Sequence, residues 1–220
     1  MELDKHFGTT SQIIFGKALS PLKDYGKWLL SGVKEGRIAE RKSMLSGRTV
    51  YVPSARFFLA LGERVVKYDE ALALGGKKIS EKDAEALSLA NASRLLSGIS
   101  VTTSEIVWGE NIGTEESCDY GPTQYCFRVA ECWFSKFVAY SYWSWTSENI
   151  FVCSLATDCS FCIKCYSSTK LTRCFEVNDS NNCADCYFCH NCEDLKDSMF
   201  CFNTKGKRYA IGNVEVGREA

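Results

Sequence analysis

Cysteine is missing from the first 117 residues of the chain, and all thirteen cysteines fall between positions 118 and 201. Other absences narrow the reading further. No apolar run approaches the roughly eighteen residues of a membrane-spanning helix. The opening stretch "MELDKHFGTTSQIIFGKALS" lacks the continuous apolar core of a secretory signal. These two features predict a soluble protein, cytoplasmic or held within an intracellularly assembled particle. Neither sign of charge is in excess, with 26 Lys and Arg against 27 Asp and Glu. A polyelectrolyte attraction to nucleic acid is therefore not expected of the whole chain. Residues 1–60 do carry ten basic against five acidic residues, and residues 61–125 carry six against eleven. The basic first quarter leaves an anionic partner, nucleic acid included, as an alternative to a solvated helix face. The first half has one histidine, His6, and neither a Gly-rich phosphate loop nor a nucleophile elbow. It contains no catalytic motif.

What this half does contain is helix punctuation. In "SPLKDYGKWLLSG", Ser20 reads as an N-cap with Pro21 at the first helical position, and Gly32 ends the helix. "KEGRIAERKSMLSGR" reads as a second, basic helix. "RTVYVP" alternates as a short strand closed by Pro53. "ARFFLALGERVVKYDEALALGG" reads as helical to Gly75. In "SEKDAEALSLANASRLLSG", Ser80 and Asp83 supply a capping box and Gly98 a stop. The expected division is a mainly helical region at 1–98, a β-rich connection or cap at 99–125, a cysteine-rich region at 126–207 and a closing tail at 208–220. The fold class is α+β.

The cysteines lie at 118, 126, 132, 153, 159, 162, 165, 174, 183, 186, 189, 192 and 201, and all but Cys118 occupy multiples of three. From Cys126 to Thr204 every third residue is Cys, Ser, Val, Ile, Leu, Ala or Thr, never charged, aromatic, Gly or Pro. A seam of small side chains with this period fits neither an α-helix at 3.6 nor a free strand at 2. It fits a parallel β-solenoid whose corners dilute the in–out alternation. A shift of 27 superimposes Cys132, Cys159 and Cys186, and also Phe134, Phe161 and Phe188. The expectation is thus about three coils of 27 residues, stacked about 4.8 Å apart. Cysteine suits such an interior because it is small and apolar. The stretches "CSFCIKC", "NCADCYFCHNC" and "SMFCFNTKGKRYAIGN" resemble cysteine-rich repeat solenoids, or parallel β-helices, found in many uncharacterised prokaryotic proteins. The resemblance covers residues 126–207 and implies a fold without an activity.

The spacing of Cys183, Cys186, Cys189 and Cys192 also resembles a zinc or iron–sulfur ligand set. Core packing is favoured over it, because the same frame continues through Ser, Val, Ile and Leu, which cannot act as thiolate ligands. Disulfides between neighbouring coils are a further alternative. No cofactor is expected. The 27-residue shift also aligns Glu131, Asp158 and Asp185, a candidate acidic column able to hold a cation or to serve carbohydrate chemistry. Trp133, Tyr142, Trp143 and Trp145 form a dense aromatic set, expected to bind a second copy or a protein partner, with burial against residues 54–97 as the alternative. The sequence therefore points to a non-enzymatic structural or assembly protein, of scaffold, shell or virion type. A carbohydrate-binding or carbohydrate-cleaving solenoid is the alternative, and a thiol metal or redox protein a second one.

Overall fold

A computed structural model describes residues 2–33, 37–54 and 64–219. Short helices and one hairpin precede a parallel β-solenoid of about eight turns. The turn is twelve residues long, not 27. Tyr142 pairs with Ser154 and Ser154 with Tyr166, while Cys132, Ser144, Ala156 and Ser168 stack in one column. Each turn holds four triplets, so four side chains point inward. The stacked register starts well before Cys126, with strand Asn111–Ile112 on Cys118–Gln124. It continues past Cys201 to Ile211 over Met199, where Val214–Glu215 folds back antiparallel. At about 4.8 Å per turn the stack is roughly 38 Å long.

Every triplet has one inward residue, one flat side residue and one corner. From Glu116 to Tyr209 the non-glycine corners other than Pro122 have φ between 46° and 58°. A left-handed residue other than glycine costs about 1–2 kcal/mol. The backbone ladder offsets this cost. Each corner N–H donates to the side carbonyl of the preceding turn, as Asp185 does to Thr172 at 3.0 Å and Phe188 to Phe175 at 3.0 Å. Each side N–H donates to an inward carbonyl of the next turn, as Ala184 does to Leu195 at 2.9 Å. Pro122 falls at a corner position whose φ it cannot adopt, and the strand pairing runs on past it through Cys118–Gln124. Beside it, Gly121 is at φ 154°, and an added Cβ would lie 1.9 Å from the Trp108 carbonyl oxygen. Only glycine fits at that approach.

The N-terminal helix α1 (Glu2–Phe15) lies along one side of the stack, a placement that its Gly-Thr-Thr interior does not advertise. Its pitch of about 5.4 Å nearly matches the spacing between turns, so successive helix turns meet successive coils. Leu3, Phe7 and Ile14 pack on Ala139, Phe151, Ile163 and Phe175, and Phe7 meets Phe151 at 5.0 Å between ring centroids. His6 stacks on Phe137 at 3.3 Å and bonds to the Asn149 side-chain oxygen at 2.7 Å. Helix α2 (Leu22–Leu29) begins after Pro21, and Ser20 makes no cap, so the expected N-cap is displaced by one residue. The expected basic helix is instead strand β1 (Ile38–Lys42), which pairs with the expected strand β2 (Thr49–Pro53). Pairing with β2 wins over a local helical preference. Helix α3 (Tyr68–Leu74) ends on Gly75 as expected, whereas Val65 bridges Thr102 and is not helical. The earlier part of that expected helix, 55–63, lies outside the described residues. The long helix expected from Ser80 is two short ones, α4 (Glu81–Glu85) and α5 (Ala92–Leu95). Ser80 does cap the first by accepting from the Asp83 N–H. The break comes where the Asn91 side chain accepts from the Ser88 N–H and donates to the Ala86 carbonyl, competing with helical bonding.

Candidate functional site

The ladder leaves one backbone donor in each triplet without a main-chain partner, the N–H of the inward residue. Where the inward residue one turn below is Ser or Cys, its side chain receives it. Cys153 N–H donates to Ser141 Oγ at 3.1 Å, Cys159 N–H to Ser147 Oγ at 3.2 Å and Cys192 N–H to Ser180 Oγ at 3.0 Å. Thiols fill the same role: Cys159 is hydrogen-bonded by the Leu171 N–H, and Cys174 by the Cys186 N–H. Each group also donates, Ser168 Oγ to the Tyr166 carbonyl at 2.7 Å and Cys192 Sγ to those of His190 and Cys201 at 3.3 Å each. Ser and Cys alternate in the seam because both are small and can donate and accept at once. Ser144 Oγ is the exception in the seam, buried without a partner.

All thirteen cysteines are buried free thiols. Burial pushes the Cys159 thiol up to about 12. Cys183, Cys186, Cys189 and Cys192 are the four inward residues of a single turn. The Cys186 thiol is held far above the ordinary thiol range by side-chain hydrogen bonds with Cys174, Cys183 and Cys189, and by burial. Among the described residues no group of three or more His, Cys, Asp or Glu side chains is arranged to hold a metal ion. Cys118, the one cysteine off the frame, is on a flat side and is buried as well.

The twelve-residue turn separates the three aligned acids. Twenty-seven residues are two turns and one triplet, so Glu131, Asp158 and Asp185 stand on three different corners. Asp158 accepts a hydrogen bond from the Thr146 hydroxyl one turn below. Asp185 accepts two from Arg173 one turn below, at 2.5 and 2.6 Å, which supplies the basic neighbour that the 27-residue alignment hid. Glu131 stacks over Asp119. Burial and the Asp119 charge raise the Glu131 carboxyl to about 7, and burial raises Asp119 to about 6.

The aromatic residues lie toward the N-terminal end of the solenoid. Trp133 stacks on Trp108 at 5.7 Å and lies 6.4 Å from Trp145, which also meets Phe134 at 6.2 Å. Trp143 and Trp145 remain 42% and 43% exposed. Tyr142 instead packs on Val50, Val52 and Val65, against the β1–β2 hairpin and its neighbour. The set is thus divided between an internal contact and an open surface. Two clefts accompany these features. One of about 390 Å³, between the starts of α1 and α2 and the solenoid, is lined by Leu3, Leu22, Tyr125, Phe127 and Tyr140. The other, of about 400 Å³ near the C-terminal end, is lined by Asp185, Tyr187, Asp197, Tyr209 and Arg218.

The seat of α1 is the feature that the period of three conceals. From Phe127 every twelfth residue is apolar: Phe127, Ala139, Phe151, Ile163, Phe175, Tyr187, Met199 and Ile211. That column is the signal from which both the true turn length and the docking face of the helix follow. No protein-family model matches the chain, and no curated protein matches it. The fold therefore defines the class by itself, a cysteine-seamed parallel β-solenoid with a helical N-terminal region.

Proposed function

We propose that the protein is a non-enzymatic structural or assembly component that associates with itself or a protein partner through the exposed apolar surface of its solenoid. The observation that carries this reading is where exposed apolar side chains fall. Among the described residues of the solenoid, none of the large exposed hydrophobics lies between 156 and 187. They lie on either side of that interval, with Trp108, Phe134, Trp143, Trp145 and Leu155 on the N-terminal turns and Phe188, Phe200, Phe202, Ile211 and Val214 on the C-terminal ones. A monomer gains nothing from such clusters, and contiguous exposed apolar patches mark association surfaces. Sedimentation should show wild-type oligomers, and a Trp143→Ala, Trp145→Ala double variant should shift toward monomer with little loss of thermal stability. Monomeric wild type, with a double variant that is merely less stable, would reject the reading.

A carbohydrate-binding role is the second reading, favoured by one observation. The C-terminal cleft brings Asp185, Asp197 and Arg218 together with Tyr187 and Tyr209. Calorimetric titration with a panel of oligosaccharides tests it. Saturable heat lost in Asp197→Asn is the expected result, and silence across neutral and acidic sugars would remove the reading.

A further inference from the structure

The two ends of the solenoid differ in charge as well as sharing exposed apolar surface. Residues 105–125, which form the first turn and its approach, contain five acidic residues and no Lys or Arg; Glu105 is paired with Lys67 and Glu116 with Arg128, so the acidic character of this end comes from Glu110, Glu115 and Asp119. Residues 203–218, which form the last turn and its fold-back, contain four basic residues and one acidic. Each end also terminates a sheet. Among the described residues, Asn111–Ile112 is the last strand on one side and Val214–Glu215 the last on the other, and none of those residues adds a strand beyond either edge. Ile112 is 52% exposed and Val214 63%. An open edge beside exposed apolar side chains is a template for pairing with another chain.

From this we infer that the partner is a second copy of the chain, joined head to tail, with the basic C-terminal end of one protomer against the acidic N-terminal end of the next. A two-fold arrangement would place like against like, acidic end on acidic or basic end on basic, and lose the charge complementarity. A head-to-tail contact is heterologous, so it propagates into a filament or closes into a ring according to the rotation between protomers. The inference rests on the assembly role proposed above and specifies its geometry.

The test uses two full-length variants, each carrying a charge in one exposed edge strand: Ile112→Asp at the acidic end and Val214→Asp at the basic end. Circular dichroism and thermal melts establish that both are folded. In sedimentation velocity, the wild type should form a concentration-dependent series of species. Each variant alone should be monomeric, because every contact in its solution needs the blocked end. An equimolar mixture should give a species of twice the monomer mass and nothing larger, since one working end remains on each partner. Raising the salt to about 1 M, where the screening length falls to about 3 Å, should weaken the wild-type series. If only one variant disrupts association, or the mixture stays monomeric, the head-to-tail geometry is wrong while the assembly role stands. A wild type that is monomeric throughout overturns both.

Discussion

Cysteine in this interior acts as a hydrogen-bonding residue of restricted size. At position 159 the thiol donates to the Thr157 carbonyl at 3.3 Å and receives the Leu171 N–H from the turn above. Serine does the same one turn below, at position 147 of the same column. Cys159→Ser should therefore be mild in thermal melts. Cys159→Val keeps the apolar volume but leaves the Leu171 N–H buried without its acceptor, which costs about 1–3 kcal/mol. Cys159→Phe should prevent folding, because a ring does not fit a seam of small side chains. A valine variant as stable as the serine variant would show that packing alone governs the position. Glu131 is the complementary case, a carboxyl whose burial favours its protonated form. With its folded value near 7 and Asp119 near 6, both above their ordinary values, the folded state binds more protons than the unfolded state in the interval below pH 7. Stability from these groups is present at low pH and lost as pH rises through about 6 to 7. Glu131→Gln should flatten that dependence and raise the melting temperature at pH 8, by on the order of 3 °C for each kcal/mol recovered.

At the scale of elements, α1 holds its conformation through its contacts with the solenoid. Isolated helices of about fourteen residues are marginal in water, and this one has Gly8, Thr9 and Thr10 in its middle. Its stability comes from Phe7, fully buried between Phe151 and Tyr25, and from Leu3 and Ile14 on either side. Phe7→Ala should cost about 3–5 kcal/mol of docking. Amide exchange should then show α1 losing protection while the turns between Cys183 and Cys201, away from most of its footprint, keep theirs. Uniform loss of protection across both would mean that the helix and the solenoid unfold as one unit. The β1–β2 hairpin is attached differently, by Arg128 reaching both Glu116 and Glu40 at 2.6 Å and by Tyr142 under Val50 and Val52.

For the whole molecule, the turn length decides which faces exist. Removing residues 157–168 deletes one full turn, so every inward column and every outer face stays in line and Phe175 takes the place of Ile163 beneath α1. Removing residues 157–165 deletes three triplets and preserves the inward frame, but rotates everything beyond it by a quarter turn, carrying the apolar column out from under the helix. The first deletion should give a cooperative melt at lower temperature. The second should retain β-rich circular dichroism yet lose the α1 contact and expose apolar surface to a hydrophobic dye. Equal behaviour of the two would mean that the helix does not read the twelve-residue column.

How much of this was legible beforehand follows from the range of each interaction. The sequence alone determined the inward frame, because the left-handed corner recurs every third residue and the triplet is a local unit whose inward member must be small. It also determined that a helix-forming region precedes a parallel solenoid, and that strand Thr49–Pro53 and the caps at Ser80 and Gly75 would form. It did not determine how many triplets close a turn from the period of three, since any multiple of three keeps the small residues inside. The alignment at 27 was attractive for that reason, and it placed Glu131, Asp158 and Asp185 together when they stand on separate corners. Closure at four triplets is decided by the ladder between turns and by the apolar column that must lie under α1, and both are contacts between residues twelve or more positions apart. The basic segment at 38–42 became a strand, Tyr142 turned toward the hairpin and Trp143 and Trp145 stayed in the open for the same reason. Each depends on what the folded chain brings alongside it, and only the tertiary structure supplies that neighbour.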